Sequence, residues 1–313
     1  MLRRISFGVL LLCLRLPLQA AQPPLTPNST GYVGSNACKT CHADVWSNFY
    51  KNPHYKSIAL GAESPEKTGC ESCHGPAKAH VEARGGKTTI PRAFSLMPAG
   101  QALNTCLACH EKSISRAQIR RSSHTQADVA CNSCHSIHKP AVAKSLLAKQ
   151  QTNLCYGCHN SARSQFAMPH KHRVNEGAVQ CIDCHNPHGS PAAAWRSGLR
   201  PRMVETTMDG EQPCLRCHTD KRGPFVFEHA AIRVEGCETC HAPHGSMNPR
   251  MLRRPAVFTL CLECHNGASG FGLSRDGIPL QTSSHNVNDP RYRNCVTCHV
   301  RIHGSNSDPR FLR

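Results

Sequence analysis

The chain has 313 residues, 37 Lys and Arg against 20 Asp and Glu, a formal charge of +17, and 21 Cys, 22 Gly and 22 Pro with only 5% aromatics. So few aromatics, without long amphipathic stretches, exclude a large apolar core of the usual kind. The basic balance could suit nucleic acid, but the Lys and Arg are scattered rather than run together, which argues against a nucleic-acid partner.

Residues 1–20 read as a secretory signal peptide: Arg3 and Arg4 start it, Ile5 to Leu14 form an apolar core, and Gln19-Ala20-Ala21 is a small-residue end. The apolar run is shorter than the roughly 20 residues that span a bilayer. Cys13 lies inside it as an apolar filler. Residues 21–37 read as a linker, and everything from 38 to 313 as one cysteine-rich domain.

The remaining twenty Cys fall in ten Cys-x-x-Cys pairs, each followed at once by His. They are Cys38, Cys41, His42; Cys70, Cys73, His74; Cys106, Cys109, His110; Cys131, Cys134, His135; and Cys155, Cys158, His159. The second half has Cys181, Cys184, His185; Cys214, Cys217, His218; Cys237, Cys240, His241; Cys261, Cys264, His265; and Cys295, Cys298, His299. Cys-x-x-Cys-His is the attachment signature of c-type haem. Two thiols on a tight turn reach the two vinyl groups of one porphyrin edge, and the next His turns under the ring to ligate iron. A zinc site would take two Cys pairs per metal and would not require His after every pair. The sequence therefore predicts ten covalently bound haems.

Ten haems share roughly 293 mature residues, about 29 each, too few for a protein core, so the porphyrins must serve as the core. The expected fold is a multihaem cytochrome c: mostly irregular chain with short α-helices, little or no β-sheet, wrapped round an extended haem array. Twenty propionates then absorb most of the basic charge.

The motifs pair into five two-haem repeats, 38–105, 106–154, 155–213, 214–260 and 261–313. Within each, the second motif has a His upstream (His54, His124, His170 or His172, His229, His285) and one just downstream (His80, His138, His188, His244, His303). Eleven His lie outside the motifs, one for each haem and one spare, so bis-histidine ligation of all ten irons is expected, with His170 and His172 competing for one place. A His three residues past the motif His lies on the proximal side of its own haem, so it should serve a different one. Met97, Met168, Met203, Met208, Met247 and Met251 are read as packing groups. Two His ligands favour low potentials, whereas an axial Met raises them, and with every iron closed the chain is an electron carrier rather than an enzyme.

The chain resembles the periplasmic decahaem cytochromes of outer-membrane porin–cytochrome conduits, the MtrA/DmsE/PioA type. The resemblance runs from Cys38 to His303 and includes Cys70-Glu71-Ser72-Cys73-His74-Gly75-Pro76 with Ala79-His80-Val81-Glu82. Cys217 to Phe225 with Glu228-His229, and Cys240-His241-Ala242-Pro243-His244-Gly245-Ser246, extend it. It implies a periplasmic protein at the outer membrane, threaded into a β-barrel porin. Electrons would pass between a periplasmic or inner-membrane cytochrome donor and an extracellular multihaem cytochrome or acceptor, in respiration or in electron uptake. A soluble periplasmic shuttle or a subunit of an extracellular filament is the second reading, and a multihaem reductase with one open haem the third.

Overall fold

The computed structural model describes residues 31–55, 68–189, 212–265 and 289–313. The expected signal peptide, most of the linker, His285, Met203 and Met208 lie outside the described residues. Twelve short α-helices occur among those described. α1 is Asn36–Lys39, α2 Ala43–Phe49, α3 Gly69–His74, α4 Lys78–Glu82, α5 Ala99–His110 and α6 Arg116–Arg121. α7 is Ser123–Gln126, α8 Cys131–Cys134, α9 Gln151–Tyr156, α10 Asn160–Gln165, α11 Ala230–Val234 and α12 Val257–Leu262.

None exceeds the 12 residues of α5, and no helix among the described residues is long and apolar enough to cross a membrane. Isolated helices this short are marginal in water, so their order must come from what they pack against and from the groups that close their ends. At α3 that closure is visible: Arg92 donates from Nε to the Cys73 carbonyl at 2.7 Å and from its guanidinium to those of Ser72 and Glu71 at 3.1 and 3.3 Å. These are carbonyls of the helix C-terminus, of which that of Glu71 also accepts from the capping Gly75 N–H, and a cation is favoured there.

Among the described residues there are no strands, only isolated bridges such as His170 with Ser246 and Phe227 with Ser305. The fold is therefore the expected one, mostly irregular chain with short helices. The apolar interior is correspondingly small. Leu103, Leu107 and Ile119 form a cluster joined by Ile114 and Cys131, and the largest side chains exposed by less than 2% among those described are Leu107 and Glu71.

The longest-range hydrogen bonds, ion pairs and bridges among the described residues, which join one repeat to the next, follow one plan: the segment before the second motif of one repeat packs on the loop after the second motif of the next. Asn52 donates to the Ile137 carbonyl, and Lys139 pairs with Asp44 at 3.0 Å. His124 meets the Pro187 carbonyl, His172 meets that of Pro243, and Phe227 pairs with Ser305. At two of these crossings the glycine after the loop His permits the approach. A Cβ on Gly189 would sit 2.6 Å from the Gln118 carbonyl oxygen, and one on Gly245 closer still to that of Gln165.

Candidate haem-ligating sites

Each attachment motif is a single helical turn. In eight of them the His N–H donates to the carbonyl of the first Cys at 2.8–3.0 Å, as in His42 to Cys38 and His241 to Cys237. The other two turns lie within α3 and at the end of α5. A helical turn brings residues three apart onto one side, so both thiols face the same way with the His behind them. None of the twenty motif cysteines is in a disulfide.

The motifs contact one another in the order in which the chain carries them. The thiols of Cys38 and Cys70, Cys106 and Cys131, Cys155 and Cys181, Cys214 and Cys237, and Cys261 and Cys295 lie close enough to perturb one another's ionisation. Between these pairs, Cys73 lies within electrostatic reach of Cys109, Cys134 of Cys158, Cys184 of Cys214 and Cys217, and Cys240 of Cys264. The first to the tenth motif thus form one unbroken succession.

Nine motif histidines each face a second histidine. A metal–imidazole bond is about 2 Å, so two imidazoles on opposite sides of one metal have ring centres about 6 Å apart. Here the centroid separations run from 5.9 to 6.4 Å. The near-parallel pairs are His42 with His80, His74 with His138, His135 with His188, His229 with His265, and His241 with His303. Four others cross at 62–69°: His54 with His110, His124 with His159, His172 with His218, and His185 with His244. The rings come in opposed pairs; no group of three or more His, Cys, Asp or Glu among the described residues is placed to hold a metal ion without a porphyrin.

The ring nitrogens are oriented for this. Nδ1 of His74 lies 3.0 Å from the Arg92 carbonyl, that of His124 3.0 Å from Pro187, that of His172 2.7 Å from Pro243 and that of His241 2.9 Å from Arg250. His135 and His299 do the same to Ser145 and Arg310, both at 2.6 Å. His80 has the Gly86 carbonyl and Thr89 Oγ1, and His244 has Gln165 Oε1. A carbonyl can only accept, so Nδ1 carries the proton and Nε2 keeps its lone pair for a metal. Desolvation, helped by neighbouring basic groups that disfavour a further positive charge, holds the imidazoles of His54, His74, His138, His188, His229, His244 and His265 below the ordinary histidine value, and that of His303 down to about 4. Neutral imidazole is the form that ligates.

The geometry also separates the two candidates that spacing leaves level. His172 faces His218, while His170 is held through its backbone to Ser246. His138, His188 and His244, each three residues past a motif His, face motif histidines of the preceding repeat. His80 instead faces His42 within its own repeat, the first having no predecessor. The supporting groups Asn52, Gln165 and Thr89 carry no motif of their own, and only the Asn-Pro-His string at 52–54 hints at one.

Comparison with known proteins agrees with this construction. Residues 124–164, 172–223 and 229–270 match the family described as doubled CXXCH motif, and residues 77–136 match cytochrome c554 and c-prime. The chain is 33% identical over 285 residues to the multiheme cytochrome MtrA of Shewanella baltica, covering 87% of this chain and 79% of that one. It belongs to the MtrA-type multihaem c-type cytochromes.

More distant relatives share parts of this MtrA-type chain. The C-type polyheme cytochrome OmcB of Geobacter sulfurreducens is 24% identical over half of it, although the chain spans only 28% of OmcB. The cytochrome c-type protein NrfB of Escherichia coli is 28% identical over 120 residues. The chain accordingly binds c-type haem covalently and is an electron-transfer protein rather than an enzyme.

Proposed function

We propose that this chain is a ten-haem wire with every iron closed by two histidines. The observation that carries the reading is the set of nine opposed imidazole pairs, each joining a motif histidine to one outside the motifs. The proximal ligands are His42, His74, His110, His135, His159, His185, His218, His241, His265 and His299. Their distal partners, in the same order, are His80, His138, His54, His188, His124, His244, His172, His303, His229 and, by remainder, His285; His170 is the spare. Each haem supplies a reversible one-electron change at iron. The protein fixes spacing, keeps the imidazoles neutral and leaves no iron open to a small molecule.

The ligand pattern supports the division into five two-haem repeats, since distal ligands cross only between neighbouring repeats. The continuous run of motif contacts from Cys38 to Cys298 supports a haem order that follows the chain. Such an array suits transport through the outer membrane from the periplasm. There the charged propionates could not lie bare in a hydrocarbon layer of about 30 Å, so a β-barrel porin sheath is the partner we infer from the MtrA relationship. A periplasmic or inner-membrane cytochrome would meet one end and an extracellular multihaem cytochrome the other.

The test is haem quantification on the holoprotein, a carbon monoxide spectrum after reduction, and co-purification from outer membranes. Ten haems, no carbon monoxide binding and a bound barrel are expected. Carbon monoxide at one haem per chain would overturn the closed-iron reading. Holoprotein recovered free of any barrel would favour a soluble shuttle.

A further inference from the structure

The four junctions between repeats are built alike, with one exception. In three, the distal histidine of one repeat bonds directly to the backbone just before the distal histidine supplied by the next. His124 bonds to the Pro187 carbonyl beside His188, His172 to that of Pro243 beside His244, and His229 to the backbone of Ile302 beside His303. At the first junction the equivalent carbonyl is Ile137, beside His138, and the side chain that reaches it is Asn52: its Nδ2 donates there at 2.5 Å.

Asn52 is 6% exposed, and its amide makes two further contacts. Oδ1 accepts from the His54 backbone N–H at 2.9 Å and lies 2.9 Å from His54 Nδ1. The Ile137 carbonyl can only accept and the His54 N–H can only donate, so the amide has one permitted orientation, with its oxygen toward His54. That oxygen in turn requires the proton on Nδ1. Two backbone groups of fixed polarity therefore dictate the tautomer of a side chain, and the lone pair of His54 is placed on Nε2, with the ring centre of His110 5.9 Å from its own.

We propose that Asn52 is a positioning residue for electron transfer, fixing the tautomer and orientation of His54 and tying it to the loop that carries His138. It thereby joins the distal ligands of two consecutive haems, those attached at Cys70/Cys73 and Cys106/Cys109. This rests on the bis-histidine reading above. An amide acceptor already polarised by donating to Ile137 makes His54 a different ligand from its three counterparts. The basicity of a metal-bound imidazole follows the acceptor on its other nitrogen.

Two substitutions in the full-length holoprotein test this, read by redox titration at pH 8 on preparations shown by mass to carry the parental number of haems. Asn52→Asp gives Nδ1–H an anionic acceptor, enriches the imidazole and favours ferric iron. One-tenth of the total haem amplitude should move to lower potential, by about 59 mV for a tenfold change in a one-electron equilibrium. Asn52→Leu keeps the volume, removes the acceptor and should move the same fraction upward. Opposite shifts from one position are an outcome that a merely space-filling residue would not give. If Asn52→Leu yields no holoprotein, the downward shift of Asn52→Asp decides alone. Titration curves that superimpose on a carbon monoxide-inert parent would overturn the inference and leave the bis-histidine reading standing. Carbon monoxide bound by the parent at the Cys106/Cys109 haem would overturn both.

Discussion

His74 and His138 face each other with ring centres 5.9 Å apart and planes 21° from parallel, although 64 residues of chain and a repeat boundary separate them. His74 is steadied by the Arg92 carbonyl, and His138 follows Ile137, whose carbonyl receives Asn52. On the proposed ligation, this pair closes the haem at Cys70/Cys73 with one ligand from each of two repeats. His138→Ala should therefore open one iron. The reduced variant should bind carbon monoxide at one haem per chain, against none in the parent, measured as the stoichiometry of the carbon monoxide difference spectrum.

A paired substitution separates His172 from His170. His172 has the ring of His218 opposite and the Pro243 carbonyl at its back, whereas His170 is joined to Ser246 by backbone bonds of 3.2 and 2.8 Å. His172→Ala should expose one haem to carbon monoxide, while His170→Ala should leave the spectrum of the parent unchanged. The reverse result would exchange their roles.

The difference between these two histidines marks where the sequence stops being informative. Cys-x-x-Cys-His is a local object: one helical turn carries both thiols and the histidine that follows, so the motif itself is readable from spacing. That a histidine three residues past His135 cannot serve the same porphyrin is also local geometry, and the facing of His138 to His74 accords with it. On the proposed ligation, what distinguishes His172 from His170, two residues away, is the Pro243 carbonyl some seventy residues further on, which no local pattern encodes. Asn52 and Gln165 are hidden for the same reason, since their partners Ile137 and His244 lie 85 and 79 residues away. The absence of a conventional core was legible from composition, while the three-residue cluster of Leu103, Leu107 and Ile119 was not, because Ile119 belongs to α6 and its packing on α5 is written in neither helix alone.

The crossings between repeats should be sensitive to a single methyl group. Gly189 has φ +98°, and a Cβ there would come within 2.6 Å of the Gln118 carbonyl oxygen, a backbone atom that cannot turn away. Gly189→Ala should cost about 1–3 kcal/mol from strain and displacement, seen as a lower melting temperature of the holoprotein. Gly100, within α5, has open space around it, and Gly100→Ala should be neutral or stabilising by roughly 0.5–1 kcal/mol, because glycine is the poorer helix former. Equal effects from the two would mean that the His188 loop does not press on the preceding repeat.

Glu71 sits between the two thiols of an attachment motif and is 1% exposed, so its carboxylate needs full compensation. It accepts from the backbone N–H groups of Val33 at 3.0 Å and Ala77 at 2.9 Å on Oε1, and from Gly34 at 2.7 Å on Oε2. Three donors on two oxygens clamp residues 31–34 over the first repeat, close to Cys38. Glu71→Gln keeps the shape but turns one oxygen into an NH2, which meets another donor wherever it is placed. One buried N–H is then left without an acceptor, at a cost of about 1–3 kcal/mol. That loss should be local rather than global, because the covalent haem attachments on either side remain. Amide hydrogen exchange should accelerate at Val33, Gly34 and Ala77 while protection in α5 stays at the parental level. Unchanged exchange at those three amides would mean that haem attachment, and not the carboxylate, holds the N-terminal segment in place.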